Sequence, residues 1–225
     1  MNTLEQSLGS IARSIPGATA LLHANQLDFC CAGNLTLRDA ATERGLDAAD
    51  LAVQLDAMRG DPPQGRDWRS APAEELVGHI VERFHDQHRE QLPELIRLAR
   101  RVEHVHARRP DCPAGLADHL QAMHQELESH MMKEEQVLFP MLAKSMRAQA
   151  DGPISVMRFE HDQHGEALAR LAELTDGLVP PSGACNTWRA LYLGLGAFRD
   201  DLIEHIHLEN NILFDETAAA EVEQA

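Results

Sequence analysis

Four long stretches of the chain have apolar residues at alternating steps of three and four, which is the spacing of a helix that buries one face. The second stretch, about 114–146, shows it most clearly. Its stripe is Leu116, Leu120, Met123, Leu127, His130, Glu134, Val137 and Met141. The same rhythm recurs in all four stretches, so the pattern predicts an all-α fold with an antiparallel four-helix bundle.

Two prolines bear on the ends of these helices. The first long helix is predicted over about 73–107, and Pro93 lies inside it. Proline lacks the backbone donor and clashes with the preceding turn, so it should kink or split this helix. The third helix is predicted to start near Pro153, because proline suits the first position of a helix.

Residues 1–62 precede the bundle and have shorter helical patterns, broken at Pro16-Gly17. Thr36 and Asp47 are predicted N-caps, each with Asp three residues later. Residues 60–65 contain two prolines and two glycines, which is typical of a linker or rigid turn. We therefore predict a small helical domain over 1–62 and a four-helix bundle over 70–218.

Histidine and glutamate residues interrupt the apolar stripes, and they do so twice in the same arrangement. His-x3-Glu occurs at 130–134 and again at 205–209, each followed by a hydrophobic pair and Phe. His-Asp-Gln-His precedes each copy at nearly the same distance, at 85–88 and 161–164. The sequence therefore predicts two tandem helical hairpins, and each candidate ligand motif occurs once in each hairpin.

Residues four apart share a helix face, so each His-x3-Glu directs an imidazole and a carboxylate to one place. A charged Glu in a bundle core is costly unless it is paired or binds metal. The candidate ligands are His85, His130, Glu134, His161, His205 and Glu209. Four imidazoles and two bridging carboxylates suit two iron ions better than manganese or zinc. The alternative is a set of hydrogen-bonded core histidines.

Other polar residues near the stripes are harder to assign. Spacing alone does not decide whether His85 or His88 binds, and the second tetrad poses the same choice with His164. The histidine not used would orient a ligand or act as an acid or base. Glu126 and Glu160 are either ordinary acidic residues or part of a polar path for protons or ions.

Two further histidines are predicted to lie away from the metals. His106 lies about 31 Å beyond His85 along a helix that rises ~1.5 Å per residue, which excludes it from the same site. His207 is predicted to occupy an exposed or an ordinary helix position.

Composition narrows the class of protein. A net charge of −16 argues against a nucleic-acid or anionic-membrane partner, and 13 histidines favour a metal site. The first residues do not resemble a signal peptide, and no apolar run approaches the ~20 residues that span a membrane. We therefore expect a cytoplasmic protein.

Cys30 and Cys31 are adjacent, and a disulfide between neighbours is strained and readily reduced. The pair is interpreted either as a redox or metal-transfer dithiol or as two small core residues.

These motifs together resemble the iron-sulfur cluster repair di-iron (RIC) family, which is hemerythrin-like. The similar segments are 88–95, 130–140, 152–157, 160–162 and 205–214, with the paired cysteines upstream. The resemblance implies two carboxylate- and oxo-bridged irons, and it places the ligands on the first histidine of each tetrad. The family motif reads Cys-Cys-Gly-Gly, whereas Ala32 stands at the third position here.

The resemblance also implies a function. It is repair of iron-sulfur proteins damaged by nitrosative or oxidative stress, by iron donation, by reduction of nitric oxide to nitrous oxide, or both. The alternative is a hemerythrin-like module that binds or senses oxygen or nitric oxide without turnover. Cys30 and Cys31 would serve as the working thiols, and a cellular reductant would be required. The oligomeric state stays open, a homodimer included.

Overall fold

A computed structural model of the chain describes residues 2–30, 33–59, 66–144 and 146–215. Helices dominate these ranges, and their only β-type pairing is an isolated bridge between Ser7 and Thr36. The predicted all-α fold class is thereby confirmed.

The N-terminal helices are short. After a 3-10 turn over Thr3–Glu5, they are α1 (Leu8–Ser14), α2 (Ala18–Ala24), α3 (Leu37–Glu43) and α4 (Ala48–Met58). The predicted caps are confirmed. The Thr36 hydroxyl accepts from the Asp39 N–H at 3.1 Å, and the Asp47 carboxylate accepts from the Ala49 N–H at 2.9 Å.

Four long helical segments follow a second 3-10 turn, Trp68–Ser70. Their α-helical parts are α5 (Ala73–Ile80), α6 (Asp86–His106), α7 (Leu116–Lys133), α8 (Phe139–Ala143), α9 (Arg147–Leu174) and α10 (Asn186–Leu208). The segments α5–α6 and α7–α8 are antiparallel, because α5 packs against α8 while α6 packs against α7. Helix α9 packs on both α7 and α8, in accordance with the predicted bundle.

Three of the four long segments contain one wide, π-helical turn. These turns are Val81–His85, Glu134–Leu138 and Glu209–Leu213. Each contains one of the predicted ligands, namely His85, Glu134 or Glu209. A π turn adds a residue to the helical repeat and re-aims the side chains around it, and such turns are frequent at functional sites.

Of the two predictions about the prolines, one is wrong in part and the other in full. Pro93 does not split its helix, since α6 continues on both sides of it, while a kink there stays a prediction. The irregular turn lies upstream, at Val81–His85. The third bundle helix starts at Arg147 instead of Pro153, which lies inside α9. Pro153 is the seventh residue of α9 and lies beyond the first turn, so the helix continues there at the cost of one intrahelical hydrogen bond.

Clustering of backbone contacts divides the chain into two units: residues 73–205, and residues 1–72 together with 206–225. The boundary falls within the last long helical segment, at its C-terminal end. The predicted division into 1–62 and 70–218 stays a prediction, and residues 60–65 lie outside the described ranges. In unit 73–205, the core includes the fully buried Leu92, Leu120, Trp188 and Phe198.

None of the helices in the described ranges combines the length and apolar character that crossing a membrane requires.

The Thr36 cap gives a test of the N-terminal helices. Replacing Thr36 with Ala removes the acceptor for the Asp39 N–H, so we expect a loss of about 1 kcal/mol in the free energy of unfolding. Thr42→Ala is the control, because the exposed Thr42 hydroxyl only donates to the Arg38 carbonyl within the same helix. Chemical denaturation measures both, and equal stabilities would contradict the cap.

Candidate metal centre

The six predicted ligand residues are all removed from solvent. Each has a relative exposure of 1% or less; they are His85, His130, Glu134, His161, His205 and Glu209. Ionisable side chains are rarely this deeply buried unless they pair with each other or bind metal. The first histidine of each tetrad is in this set, and it comes from a different helical segment than either His-x3-Glu.

The six residues form two groups of four that share both glutamates. One group is His85, Glu134, His205 and Glu209, and the other is His130, Glu134, His161 and Glu209. Within each group, one ligand atom per residue lies within 4.8 Å of every other. The structure thus brings together every predicted ligand. Each group contains two of the four histidines and both glutamates.

The imidazoles of each group face one another through their Nε2 atoms. His85 Nε2 lies 3.1 Å from His205 Nε2, and His130 Nε2 lies 3.1 Å from His161 Nε2. Glu134 lies between the groups: its Oε2 is 3.5 Å from His85 Nε2, and its Oε1 is 3.4 Å from His130 Nε2. Each carboxylate oxygen of Glu134 is therefore directed at a different group.

Carboxylates outside the two groups orient one histidine in each. His85 Nδ1 lies 2.8 Å from Glu135 Oε1, and His130 Nδ1 lies 2.9 Å from Glu160 Oε2. An ionised carboxylate only accepts, so both Nδ1 atoms donate. A neutral imidazole that donates from Nδ1 presents a lone pair at Nε2, which is the form that binds metal.

The Glu160 carboxylate is itself held in its charged form. Its pKa falls to about 2, chiefly because His130 donates a hydrogen bond to it, with a further contribution from Lys133. Lys133 Nζ contacts Glu160 Oε1 directly. Glu160 therefore remains an acceptor for His130 Nδ1 at neutral pH.

This donor set fits a metal. Two Nε2 lone pairs and two carboxylates converge in each group, where a cation relieves the repulsion among them and offsets the cost of their burial. Nitrogen and carboxylate donors together suit first-row transition metals.

The second histidines of the tetrads are also buried, but neither belongs to a group. His88 packs against the rings of Phe198 and His205, with centroids 5.5 and 5.4 Å away. His164 meets His130 edge-on at 4.9 Å. Burial lowers the pKa of His164 to about 3, so its imidazole is neutral.

A surface cleft of about 280 Å³ opens beside His164. Glu126 and Glu160, which the sequence left without a role, both line it, together with Lys133 and Ser129. The polar path for protons or ions stays a prediction, and this cleft is where it would run.

His106 is remote from both groups. Its Nε2 lies 3.3 Å from Cys185 Sγ, and its ring packs against Trp188. This agrees with its predicted exclusion from the metal site.

The cysteine loop is described up to Cys30, and Cys31 lies outside the described residues. Cys30 is buried, and its thiol donates to Asp28 Oδ1 at 3.2 Å. The Cys30 carbonyl accepts a hydrogen bond from Asn210 Nδ2 at 2.8 Å.

Of the two positions predicted for His207, exposed or ordinary, the exposed one is wrong. This residue is 3% exposed, and its ring meets Phe29 edge-on at 5.4 Å. It lies on the opposite face of its helix from His205, and packing with N-terminal residues, which periodicity does not reveal, buries that face.

Sequence reasoning also missed Glu135, Asn210 and Asn211. Glu135 and Asn210 each follow directly after a predicted ligand glutamate, at equivalent places in the two copies, and Asn211 is the next residue. A comparison of the copies at these positions, Glu135-Gln136 against Asn210-Asn211, was the available signal.

A four-helix bundle whose buried core joins two His/Glu groups defines a hemerythrin-like metal-binding protein. Residues 77–216 match the family described as hemerythrin HHE cation binding domain, and residues 4–59 match a domain of unknown function, DUF542.

The most similar relatives match almost end to end. Iron-sulfur cluster repair protein YtfE of Pectobacterium atrosepticum is 54% identical over 93% of this chain and 95% of its own length. The protein of the same name from Musicola paradisiaca is 54% identical, covering 95% and 96%. The one from Yersinia pseudotuberculosis is 52% identical, covering 95% and 97%. The chain belongs to this family of hemerythrin-like iron-sulfur cluster repair proteins.

Glu160 offers a test of the orienting carboxylates. Glu160→Gln replaces a charged acceptor for His130 Nδ1 with a neutral amide, so we expect metal affinity to fall ~10–100-fold. Glu166→Gln is the matched control, because Glu166 is exposed on the same helix. Titration against a chromogenic chelator measures both variants, and an unchanged affinity in Glu160→Gln would remove the orienting role.

Proposed function

We propose that this chain is a cytoplasmic di-iron protein that repairs iron-sulfur clusters damaged by nitrosative or oxidative stress. It would do so by donating iron, by reducing nitric oxide to nitrous oxide, or by both. The single observation that carries the proposal is the pair of buried His/Glu groups sharing two carboxylates, in a chain whose relatives are named iron-sulfur cluster repair proteins.

The proposed ligands are His85, His130, Glu134, His161, His205 and Glu209, with both glutamates bridging two irons. The directions of the Glu134 oxygens support this role, since each faces a histidine of a different group. A ligand set rich in imidazole carries little negative charge, which favours iron(II) and its release over tight retention of iron(III). Iron, when bound, supplies redox chemistry and coordination positions for a small ligand such as nitric oxide or oxygen.

Other residues of the chain would orient the ligands and contact an entering molecule. Glu135 and Glu160 hold the Nδ1 protons of two histidines, which fixes the lone pairs that receive the metal. The neutral His164 lies beside His130 at the cleft, where its imidazole would form a hydrogen bond to an entering molecule.

Cys30 and Cys31 are proposed to relay two electrons from a cellular reductant. Oxidation of the two thiols forms one disulfide and releases two protons and two electrons. Reduction of two nitric oxide molecules to nitrous oxide and water consumes two electrons and two protons. Strain in a disulfide between neighbours makes it easily reduced again, which suits a relay.

The deciding experiment mixes the reduced, iron-loaded protein with an apo or nitrosylated cluster enzyme and follows recovery of that enzyme's activity. Recovery well above that given by an equal amount of free iron supports specific donation. Nitrous oxide production without recovery would assign the protein to nitric oxide reduction instead. Gas binding with neither outcome would favour the alternative of a binding or sensing module.

Removal of the proposed bridge tests the ligand set. Glu134→Ala leaves four buried imidazoles with only one of the two shared carboxylates, so we expect loss of at least one of two irons per chain and a lower melting temperature. Glu128→Ala is the control, since Glu128 lies on the adjoining α7 and pairs with Arg89. Iron analysis showing two irons in Glu134→Ala would rule out the bridge.

The dithiol is tested with a Cys30→Ser, Cys31→Ser double variant. We expect activity driven by a thiol reductant to fall on the order of tenfold, while iron content stays at the wild-type level. Cys185→Ser serves as the control, because it removes an exposed thiol elsewhere in the chain. An unchanged rate in the double variant would exclude the dithiol from the mechanism.

A further inference from the structure

The two copies of the repeat differ immediately after their ligand glutamates. The first copy continues with Glu135-Gln136 and the second with Asn210-Asn211. Glu135 holds a histidine of the metal groups, whereas Gln136 is exposed. The corresponding residues of the second copy, Asn210 and Asn211, make different contacts.

Asn210 and Asn211 both donate to the backbone that leads into the paired cysteines. Asn210 Nδ2 donates to the Cys30 carbonyl at 2.8 Å, and Asn211 Nδ2 donates to the Phe29 carbonyl at 3.1 Å. Two successive side chains of the last helix thus bind two successive carbonyls of the loop. Asn210 is the covalent neighbour of Glu209, so this attachment places Cys30 beside a proposed ligand.

Surrounding contacts fix the orientation of the asparagine pair. Asn211 Nδ2 lies 3.0 Å from His207 Nδ1, and the ring of His207 packs edge-on against Phe29. An amide nitrogen only donates, so His207 Nδ1 accepts this hydrogen bond, and the amide oxygen of Asn211 lies on the opposite side.

Two glycines make room for this arrangement. A Cβ added at Gly9 would lie 2.5 Å from Asn211 Oδ1, and one added at Gly33 would lie 2.7 Å from the Phe29 carbonyl oxygen. The Gly9 N–H also donates to the Gly33 carbonyl at 2.8 Å. The obstacle is the Asn211 amide at Gly9 and a carbonyl that Asn211 binds at Gly33, so a Cβ at either position would displace part of the attachment.

We propose that Asn210 and Asn211 are positioning residues that attach the cysteine loop to the helix turn carrying Glu209. This attachment makes Cys30 competent as a redox thiol and limits its reaction with other molecules. The inference rests on the proposed dithiol function for its purpose, although the attachment itself is testable without it.

The experiment measures alkylation of Cys30 by iodoacetamide in the native, iron-loaded full chain, resolved by peptide mass spectrometry. In Asn210→Ala, Asn211→Ala, loss of both hydrogen bonds should accelerate the reaction on the order of tenfold. Gln136→Ala changes the equivalent position of the first copy and should match the wild type. Reaction of Cys185 in each sample serves as an internal reference.

A second variant distinguishes loss of the attachment from general unfolding of the protein. Gly9→Ala keeps both asparagines but forces Asn211 aside, so it should also accelerate alkylation of Cys30 while circular dichroism and iron content stay unchanged. Alkylation at the wild-type rate in both variants would overturn the attachment.

A comparison of two reductants, a thiol and dithionite, tests the purpose of the attachment. With a thiol as reductant, the rate of nitrous oxide production should fall in the asparagine variant to the level of Cys30→Ser. With dithionite as reductant, that rate should not change. Equal losses with both reductants would mean a structural role and overturn the positioning role. Wild-type activity of Cys30→Ser would instead refute the dithiol function, even where faster alkylation supports the attachment.

Discussion

Four imidazoles and two carboxylates buried together in a helical bundle are the constraint on which the rest of the structure depends. Each carboxylate costs several kcal/mol to bury without a compensating charge, and paired imidazole Nε2 atoms 3.1 Å apart repel unless a proton or a cation lies between them. A shared cation removes both penalties at once. The bundle must therefore hold its ligands accurately enough for metal binding to contribute to folding.

The wide helical turns are how the bundle meets this requirement. Regular α-helices would repeat the ligands at fixed angles, while the turns at Val81–His85, Glu134–Leu138 and Glu209–Leu213 each shift the register by one residue at a ligand. Three segments thereby bring their polar side chains to common points without opening the apolar stripes on either side. The irregularity lies at the site and not at Pro93, where local propensity alone would place it.

The two hairpins repeat the same ligand motifs, but the residues that follow their ligand glutamates have different supporting roles. In the first copy, the residue after the ligand glutamate is Glu135, which orients His85. In the second copy it is Asn210, which holds the Cys30 carbonyl. The metal groups remain nearly symmetric, while their surroundings do not. At this one position, the first copy orients a ligand and the second holds the loop that carries the thiol.

The sequence by itself determined the helical class and the six buried ligand candidates, because periodicity and a repeated motif are local properties of the chain. It also determined the caps at Thr36 and Asp47, which depend on residues two or three positions away. Only the tertiary structure decided which ligands share a group, the burial of His207 and the contacts of Asn210. These depend on residues distant in the chain, and on π turns whose extra residue leaves no mark in a hydrophobic pattern.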